Sequence, residues 1–460
     1  MSGSISTHTT SVRAFCAKSV IPMTTSSPSI RTHSCSFVYF RSSGMSDMSS
    51  PQLQGAREDG SRFRLRYRRE FSHQRHKQDA TPRVMPEVPK RFSNLAIGFT
   101  PYLVKPSEDV IRWTVGEPGF DTPRPVVDAA IEALEAGQTK YTRGPGSMEL
   151  CTQISEQLNR MWDLGSTPET VMVTPGAKQA LLYAMMVTME AGDELLVPAP
   201  AWPTYEGQTA LLGINIVFTE TNDIFHPIVE SIRTSITDKT KAILLNSPNN
   251  PTGAVYTPEE IKEIVALAVE HDLWIISDEI YARLLWVDWP HISPASIPGG
   301  AERTMVVTGF SKSFAMTGWR LGVLTGPKEA MKAAFACQAN ANSHVPTFLM
   351  PAASVALTQD AAVDEFCTQY DRRRSILMEG IASIPGMKLV EPEGAFYAFI
   401  DITSSGMTSI EFADGALSEA CVQLIPGSLI EGGEGFVRVS YATDEEDIRE
   451  GIARLKAWLS

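Results

Sequence analysis

The 460-residue chain has no C-x-x-C pair among its six cysteines, and its eight histidines show no metal-ligand spacing. Zinc sites and the disulfide frameworks of small secreted domains depend on such patterns, so we expect neither, and a reducing compartment fits. No run of about 18 apolar residues lacks charges or Pro/Gly breaks, so no membrane-spanning helix is predicted. The sequence therefore predicts a protein without a metal site and without a membrane partner.

Acidic residues are scarce at the start of the chain. None precedes Asp47, and residues 1 to 80 hold 12 Lys/Arg against 5 Asp/Glu, whereas the remainder holds 28 against 48. Any attraction to nucleic acid would therefore come from this basic leader, but residues 1 to 90 show little of the helical periodicity of a DNA-binding module. We predict no nucleic-acid partner.

The first 46 residues are rich in Ser and Thr, which is typical of an organelle transit segment. Their amphipathic periodicity is weak, so a disordered tail or a gene-model artefact explains them equally well. Residues 1–85 are therefore predicted to be a disordered or targeting leader. The predicted location is the cytoplasm, or a mitochondrion or plastid if the leader is a transit segment.

From about Phe92 onward, apolar strands alternate regularly with helical segments. This alternation predicts an α/β fold with a large domain, whose mainly parallel sheet is covered by helices on both faces, and a smaller α+β domain. The expected division is an N-terminal arm at 86–122 that joins the small domain, a large domain at 123–355 and a small domain at 356–460. Polar clusters follow the apolar runs, where ligands of parallel sheets bind.

Seven motifs follow one another along this region. They read VGEPGFDTP, KYTRGPGSMEL, NSPNNPTGAVY, SDEIY, SKSFAMTGWRLG, EGAFY and VRVSYAT. In this order and at this spacing, the chain from about residue 92 to its end resembles a class I aminotransferase of the fold-type I pyridoxal-phosphate superfamily, in the class I/II group of aspartate, aromatic and alanine aminotransferases. The resemblance implies an amino acid:2-oxo acid transaminase with pyridoxal 5'-phosphate as its cofactor, which supplies the electron sink for amine chemistry.

The resemblance also implies a role for each matching residue. Lys312 corresponds to the lysine that holds the cofactor as a Schiff base and then moves the α-proton. Asp278 corresponds to the carboxylate that pairs with the pyridine nitrogen and keeps it protonated. Tyr281 and Asn250 correspond to the two groups that hydrogen-bond the phenolic oxygen of the cofactor.

Other residues match the positions that hold the phosphate and the ring. The phosphate group is expected against the turn and side chains of Gly176, Ala177, Lys178, Ser311 and Arg320. Where some family members carry a serine three residues before the lysine, this chain has glycine, so one phosphate hydroxyl is missing or replaced. Trp202 corresponds to the aromatic side chain that stacks on the ring, and Tyr141 to the tyrosine that reaches the phosphate of the neighbouring subunit. A homodimer with shared active sites is therefore expected.

The substrate site is predicted from the same resemblance. Arg438 corresponds to the clamp for the substrate α-carboxylate, for which the planar guanidinium is suited. Gly116 would offer its amide to the same carboxylate, and Trp202 and Asn250 would line the substrate as well as the cofactor. In the resembled family the small domain closes on the substrate, so carboxylate binding and water exclusion would be coupled.

Three questions stay open at the level of sequence. The same cofactor also serves lyases, decarboxylases and cyclopropane-forming synthases, although NNPTG and SFAMTGWR favour transfer. A transcription regulator with an aminotransferase-like sensor is a remote alternative. The segment ACQANANSHVPTF contains no Arg or Lys to bind a second substrate carboxylate, which disfavours strict dicarboxylate preference and leaves neutral or aromatic amino acids open.

Overall fold

Strands and helices alternate along Phe92 and residues 98–460, the part of the chain that this computed structural model describes. The strands in this part are β1 (Ile111–Arg112), β2 (Val171–Pro175), β3 (Glu194–Pro198), β4 (Asn215–Thr219), β5 (Thr240–Asn246), β6 (Trp274–Asp278), β7 (Thr304–Gly309), β8 (Leu321–Thr325), β9 (Lys388–Leu389), β10 (Tyr397–Asp401), β11 (Val422–Gln423), β12 (Ile425–Pro426) and β13 (Phe436–Ser440). The predicted leader at 1–85 lies outside the described residues.

The helices connect these strands and cover them. They are α1 (Arg124–Glu135), α2 (Met148–Trp162), α3 (Ala177–Thr188), α4 (Thr204–Leu212), α5 (Val229–Thr234), α6 (Pro258–Glu270), α7 (Lys328–Ala341), α8 (Leu349–Ala356), α9 (Asp360–Ala382), α10 (Ser409–Ala420) and α11 (Glu445–Leu459). None of the helices in this described part has both the length and the apolar character needed to span a membrane.

Seven strands form the central sheet in the order β2-β8-β7-β6-β5-β3-β4. The neighbours from β7 to β4 are parallel, and β8 is antiparallel to both β7 and β2. Strands β2, β3, β5, β6 and β7 therefore all end at the same edge of the sheet. The predicted mainly parallel α/β sheet is confirmed.

Helices bury both faces of this sheet, and successive residues of each strand point to opposite faces. In β5, Ala242 and Leu244 pack in a cluster with residues of α3 and α7. Ile243 and Leu245 point the other way and pack with Ile261 and other residues of α6. Continuous apolar runs in the sequence follow from this burial on two sides.

A second sheet, of four antiparallel strands, has the order β12-β13-β10-β9, and helices α9, α10 and α11 accompany it in the chain. The short strand β1 pairs in parallel with β11, so the segment before α1 joins this later part of the chain. All described residues belong to one compact unit, Val84–Ser460. The boundaries after 122 and 355 remain predictions.

Candidate active site

A cavity of about 770 Å³ opens where the central strands end. Eleven of the thirteen residues predicted for the site line it, namely Gly116, Ala177, Lys178, Trp202, Asn250, Asp278, Tyr281, Ser311, Lys312, Arg320 and Arg438. Gly176 precedes Ala177 directly, and Tyr141 does not line the cavity. Residues more than 300 positions apart in the sequence therefore meet in one place, as the rule for parallel sheets predicts.

Asp278 is the last residue of β6, and its side chain is only 2% exposed. The Tyr205 hydroxyl donates a hydrogen bond to its Oδ2 at 2.9 Å, and the Ile280 amide donates to Oδ1 at 3.3 Å. Burial raises the pKa of Asp278 to about 6, although these two hydrogen bonds act in the opposite direction. A cation placed beside this carboxylate would favour its charged form.

Lys312 lies in the turn that follows β7 and is half-buried. Its Nζ donates a hydrogen bond to the Gly116 carbonyl oxygen. The same nitrogen is 5.7 Å from the ring centre of Tyr281 and 5.5 Å from that of Phe396. The amine is therefore held at the wall of the cavity, between the segment that precedes α1 and the aromatic rings behind it.

Arg438 is a buried cation on β13, with 2% of its surface exposed. Its Nη1 donates to Asn250 Oδ1 at 3.0 Å and its Nη2 to the Thr114 carbonyl at 2.7 Å. Its Nε is buried without a hydrogen-bond partner, and no carboxylate of the described residues forms a salt bridge with it. Burial lowers the pKa of this guanidinium. An anionic ligand would satisfy both the charge and the free N–H group.

A narrow cradle forms where β2 turns into α3. Gly176 precedes the helix with a φ of 80°, a left-handed value that glycine adopts without strain. A Cβ at Gly176 would collide with the Arg320 guanidinium, and one at Gly322 would collide with the backbone of Gly176 and Ala177. Because the first N–H groups of a helix lack intrahelical partners, this cradle with Arg320 and the buried Ser311 fits a phosphate group.

Backbone packing also explains the glycine three residues before the lysine. A Cβ at Gly309 would lie 2.8 Å from the Cα of Gly322, because β7 and β8 pair at these two residues. The hydroxyl that some family members have at this position would therefore need the strands to move apart.

Of the remaining predicted residues, Trp202 and Lys178 line the cavity and Tyr141 does not. Trp202 lines the cavity with its ring 5.7 Å from that of Tyr205, and the Lys178 ammonium lies 4.9 Å from the centre of the Trp202 ring. Tyr141 is 92% exposed and packs its ring edge against His344 at 5.6 Å.

Among the lining residues that sequence reasoning missed are Phe99, Tyr205, Asn246 and Tyr397. Asn246 accepts from the Asn250 amide at 2.9 Å and donates to the Asp278 carbonyl at 3.0 Å, so it joins two predicted site residues. Its position at the end of an apolar run was an available signal. Tyr397 belongs to the quoted EGAFY motif, whereas nothing in the sequence indicates Phe99, whose ring lies 4.4 Å from the Arg438 guanidinium.

Comparison with known proteins gives concordant results. Residues 108–455 match the family model of aminotransferase class I and II. The aspartate aminotransferase of Pyrococcus abyssi is 40% identical over 76% of this chain and 91% of its own length. The aspartate/prephenate aminotransferase of Thermus thermophilus is 40% identical over 75% of this chain and 90% of its own.

Solved structures agree with these relatives. The aromatic aminotransferase of Pyrococcus horikoshii superposes with a TM-score of 0.74 at 40% identity, covering 76% of this chain and 96% of its own. The Thermus thermophilus aspartate aminotransferase crystallised with maleate gives a TM-score of 0.73 at 40% identity, covering 76% of this chain and 92% of its own. The buried Asp278 carboxylate, the half-buried Lys312 amine and the anion cradle fit the pyridoxal phosphate on which this family depends. The chain belongs to the class I and II aminotransferases and is a pyridoxal-phosphate-dependent amino acid transaminase.

Proposed function

We propose that Lys312, Asp278 and Arg438 divide the work of amino transfer in this enzyme. The observation that carries the proposal is their convergence in one cavity of about 770 Å³. Pyridoxal phosphate, when bound, supplies the electron sink that no ordinary side chain provides. The three residues supply an amine for its covalent attachment, an anion for its ring nitrogen and a cation for the α-carboxylate of the amino acid or 2-oxo acid.

Asp278 is the residue for the ring nitrogen. Its carboxylate is costly to bury alone, which is why its pKa is raised to about 6. A protonated nitrogen beside it lowers that pKa and keeps both partners charged. The hydrogen bonds from Tyr205 and the Ile280 amide orient the two carboxylate oxygens before any ligand binds.

Lys312 is the residue for proton transfer. Its amine would hold the cofactor and, when free, could act as the base that takes up and returns the α-proton. The rings of Tyr281 and Phe396 and the Gly116 carbonyl limit where the amine can go. A base confined in this way needs little reorganisation to collect and return a proton.

Arg438 is the residue for the substrate α-carboxylate. A carboxylate that replaces part of its present contacts would pair the buried charge and reach the free Nε. Arg438 belongs to the small antiparallel sheet, whereas Lys312 follows a strand of the central sheet. Substrate binding would therefore draw together elements of both sheets and exclude water from the proton transfer.

The position of the Lys178 ammonium supports the proposal that dicarboxylic amino acids are among the donors. Its backbone lies in the cradle, but its ammonium reaches the Trp202 ring and forms no salt bridge with a described carboxylate. Burial, and then the nearby Arg320, lower the pKa of Lys178. A distal substrate carboxylate would favour its charged form, and the same Trp202 ring would accept an aromatic side chain. The names of the relatives, which include aspartate, prephenate and aromatic aminotransferases, agree with this range.

A homodimer completes the site in this proposal. Tyr141 is exposed and does not line the cavity of its own chain, as expected for a residue that serves a neighbour. Its position in KYTRGPG is the family position that reaches the partner's phosphate group. Each active site would then contain residues of two chains.

A panel of amino donors tests this function directly. Purified enzyme loaded with cofactor is mixed with one L-amino acid at a time, without oxo acid, and pyridoxamine phosphate is measured. We expect it to form with aspartate, glutamate and an aromatic amino acid, with release of the matching 2-oxo acid. Formation of ammonia and pyruvate without pyridoxamine phosphate would instead identify a lyase.

A further inference from the structure

A hydroxyl pair joins the two sheets at the back of the active site. The Tyr281 and Tyr397 hydroxyl oxygens lie 2.8 Å apart, and both side chains are buried, with 3% and 2% exposed. Tyr281 follows β6 of the central sheet, whereas Tyr397 begins β10 of the small sheet. Since each phenol carries one proton, only one of the two can donate in this contact.

The surroundings place this pair among the residues of the proposed mechanism. The Tyr281 ring is 5.7 Å from the Lys312 amine, and the Tyr397 ring is 4.8 Å from the Arg438 guanidinium. A Cβ at Gly116 would collide with the Tyr397 hydroxyl, so the backbone that accepts from Lys312 lies directly against Tyr397. Both hydroxyls therefore lie at the wall where the cofactor is attached.

The direction of the hydrogen bond determines what Tyr281 can do. If Tyr281 donated to Tyr397, it would have no proton left for a third group. If Tyr397 donates, the Tyr281 proton is free for the phenolic oxygen of the cofactor. A hydroxyl that accepts one hydrogen bond is also a stronger donor of the next, because the chain is polarised in a site of low dielectric. Burial raises the pKa of Tyr281, so the donor stays protonated at neutral pH.

We propose that Tyr397 is a positioning residue, which donates to Tyr281 and so directs and strengthens the Tyr281 hydrogen bond to the phenolic oxygen of the cofactor. The inference rests on the role of Tyr281 in the proposed function. In this role Tyr397 acts through Tyr281 and not on the reacting atoms. It would lower the pH at which the bound cofactor loses its proton, because a donor to the phenolic oxygen favours the deprotonated form.

The test is a pH titration of the cofactor absorbance in substrate-free holoenzyme of wild type, Tyr397→Phe, Tyr281→Phe and the double variant. We expect Tyr397→Phe to raise the spectroscopic pKa by roughly 0.3–0.8 units and Tyr281→Phe to raise it further. In the Tyr281→Phe background, Tyr397→Phe should add almost nothing, because its effect passes through Tyr281. Tyr397→Phe keeps the ring that packs against the Arg438 guanidinium. The KM of this variant should therefore equal that of wild type, whereas its kcat should fall.

Tyr370→Phe is the matched control. Tyr370 is fully buried, its hydroxyl has no hydrogen-bond partner among the described residues, and its ring packs against Phe396 at 5.2 Å. The same deletion of a hydroxyl there should leave the spectroscopic pKa at its wild-type value. Thermal unfolding of each holoenzyme verifies that the variants are folded.

The possible outcomes separate the two proposals. A shift for Tyr281→Phe but none for Tyr397→Phe would overturn the inference and leave the role of Tyr281 intact. An equal shift from Tyr397→Phe in both backgrounds would also overturn it, since Tyr397 would then act independently. No shift for Tyr281→Phe would refute the role of Tyr281 in the proposed function, and the inference would fail with it.

Discussion

Two buried charges of opposite sign set the chemistry at the scale of single residues. Asp278 and Arg438 are each 2% exposed, and neither forms a salt bridge with a described residue. Isolated buried charges are costly, so a protein that keeps two of them in one cavity keeps them for ligands. The cofactor ring nitrogen and the substrate carboxylate are the charges that would offset this cost.

The free-energy cost of burying the Asp278 carboxylate can be measured. Because its folded pKa of about 6 lies above the ordinary value of 3.8, stability that is present below pH 3.8 is lost as pH rises through 6. Asp278→Asn should therefore stabilise the apoenzyme at pH 7.5, by about 1–3 kcal/mol at roughly 1.4 kcal/mol per pKa unit. Transamination should fall at least about 100-fold. Urea unfolding of the apoenzyme and single-turnover kinetics measure the two effects.

A destabilised Asp278→Asn apoenzyme would contradict this account of the carboxylate. The comparison at pH 4 is the internal control, since the wild-type side chain is then mostly protonated and the difference between the two proteins should shrink.

The charge of Lys178 should determine selectivity between donors. Lys178→Met removes the ammonium and keeps the backbone of the cradle, so kcat/KM for aspartate should fall about 10- to 100-fold, which is the value of a charge-assisted hydrogen bond. The value for phenylalanine should change little. Lys332→Met, at an exposed position on α7, is the matched control. An equal loss of kcat/KM for both donors would show that Lys178 does not bind the distal carboxylate of the substrate.

At the scale of elements, a buried histidine joins α6 to the loop before β10. His226 Nδ1 lies 3.0 Å from Glu260, which also caps α6, and Nε2 lies 2.7 Å from Glu393. Glu393 in turn accepts from the Val255 amide at 2.9 Å. Burial alone would lower the pKa of His226, but its hydrogen bonds to the two carboxylates raise it to about 9.

This contact should make stability depend on pH. Since the folded pKa of His226 is about 9 against 6.5 in the unfolded chain, its contribution is complete below pH 6.5 and is lost as pH rises through 9. His226→Gln should lower the free energy of unfolding by on the order of 3 kcal/mol at pH 6.5 and by clearly less at pH 9.5. Urea titrations at both pH values measure this.

The partly exposed His271, 3.9 Å from Glu270, provides the control variant His271→Gln, which should cost little at either pH. A loss at His226→Gln that is the same at pH 6.5 and pH 9.5 would mean that the histidine acts by packing and not through its charge.

The sequence predicted the strands and helices better than the contacts between residues that are distant in the chain. Alternating apolar strands and helices predict a covered parallel sheet, because both signals are local. The meeting of Tyr281 with Tyr397 could not be predicted, since the two are 116 residues apart and belong to different sheets. The contact of Arg438 with Asn250, 188 residues apart, is of the same kind. Motifs identify chemistry at each strand end, but only tertiary structure shows which strand ends meet.

At the scale of the whole molecule, the proposed dimer predicts complementation between two inactive variants. If Tyr141 serves the partner's site, a hybrid of Lys312→Ala and Tyr141→Ala chains contains one site in which both residues are wild type. Random reassociation of equal amounts should then restore roughly a quarter of wild-type activity, since half of the dimers are hybrids with one intact site of two. Activity after unfolding and refolding of the mixture measures this. Separately refolded variants are the control.

No recovery in the mixture, with hybrid dimers demonstrated by mass spectrometry, would place Tyr141 in the site of its own chain or outside the mechanism. Recovery would support both the dimer and the sharing of its sites.

The central claim is that the cofactor is attached to Lys312, and reductive labelling tests it most directly. Holoenzyme is treated with borohydride, digested and mapped by mass spectrometry. The account predicts a pyridoxyl group on the peptide that contains Lys312, and no label in Lys312→Ala protein under the same conditions. A label on another lysine, or a colourless and unlabelled wild-type protein in excess cofactor, would contradict it.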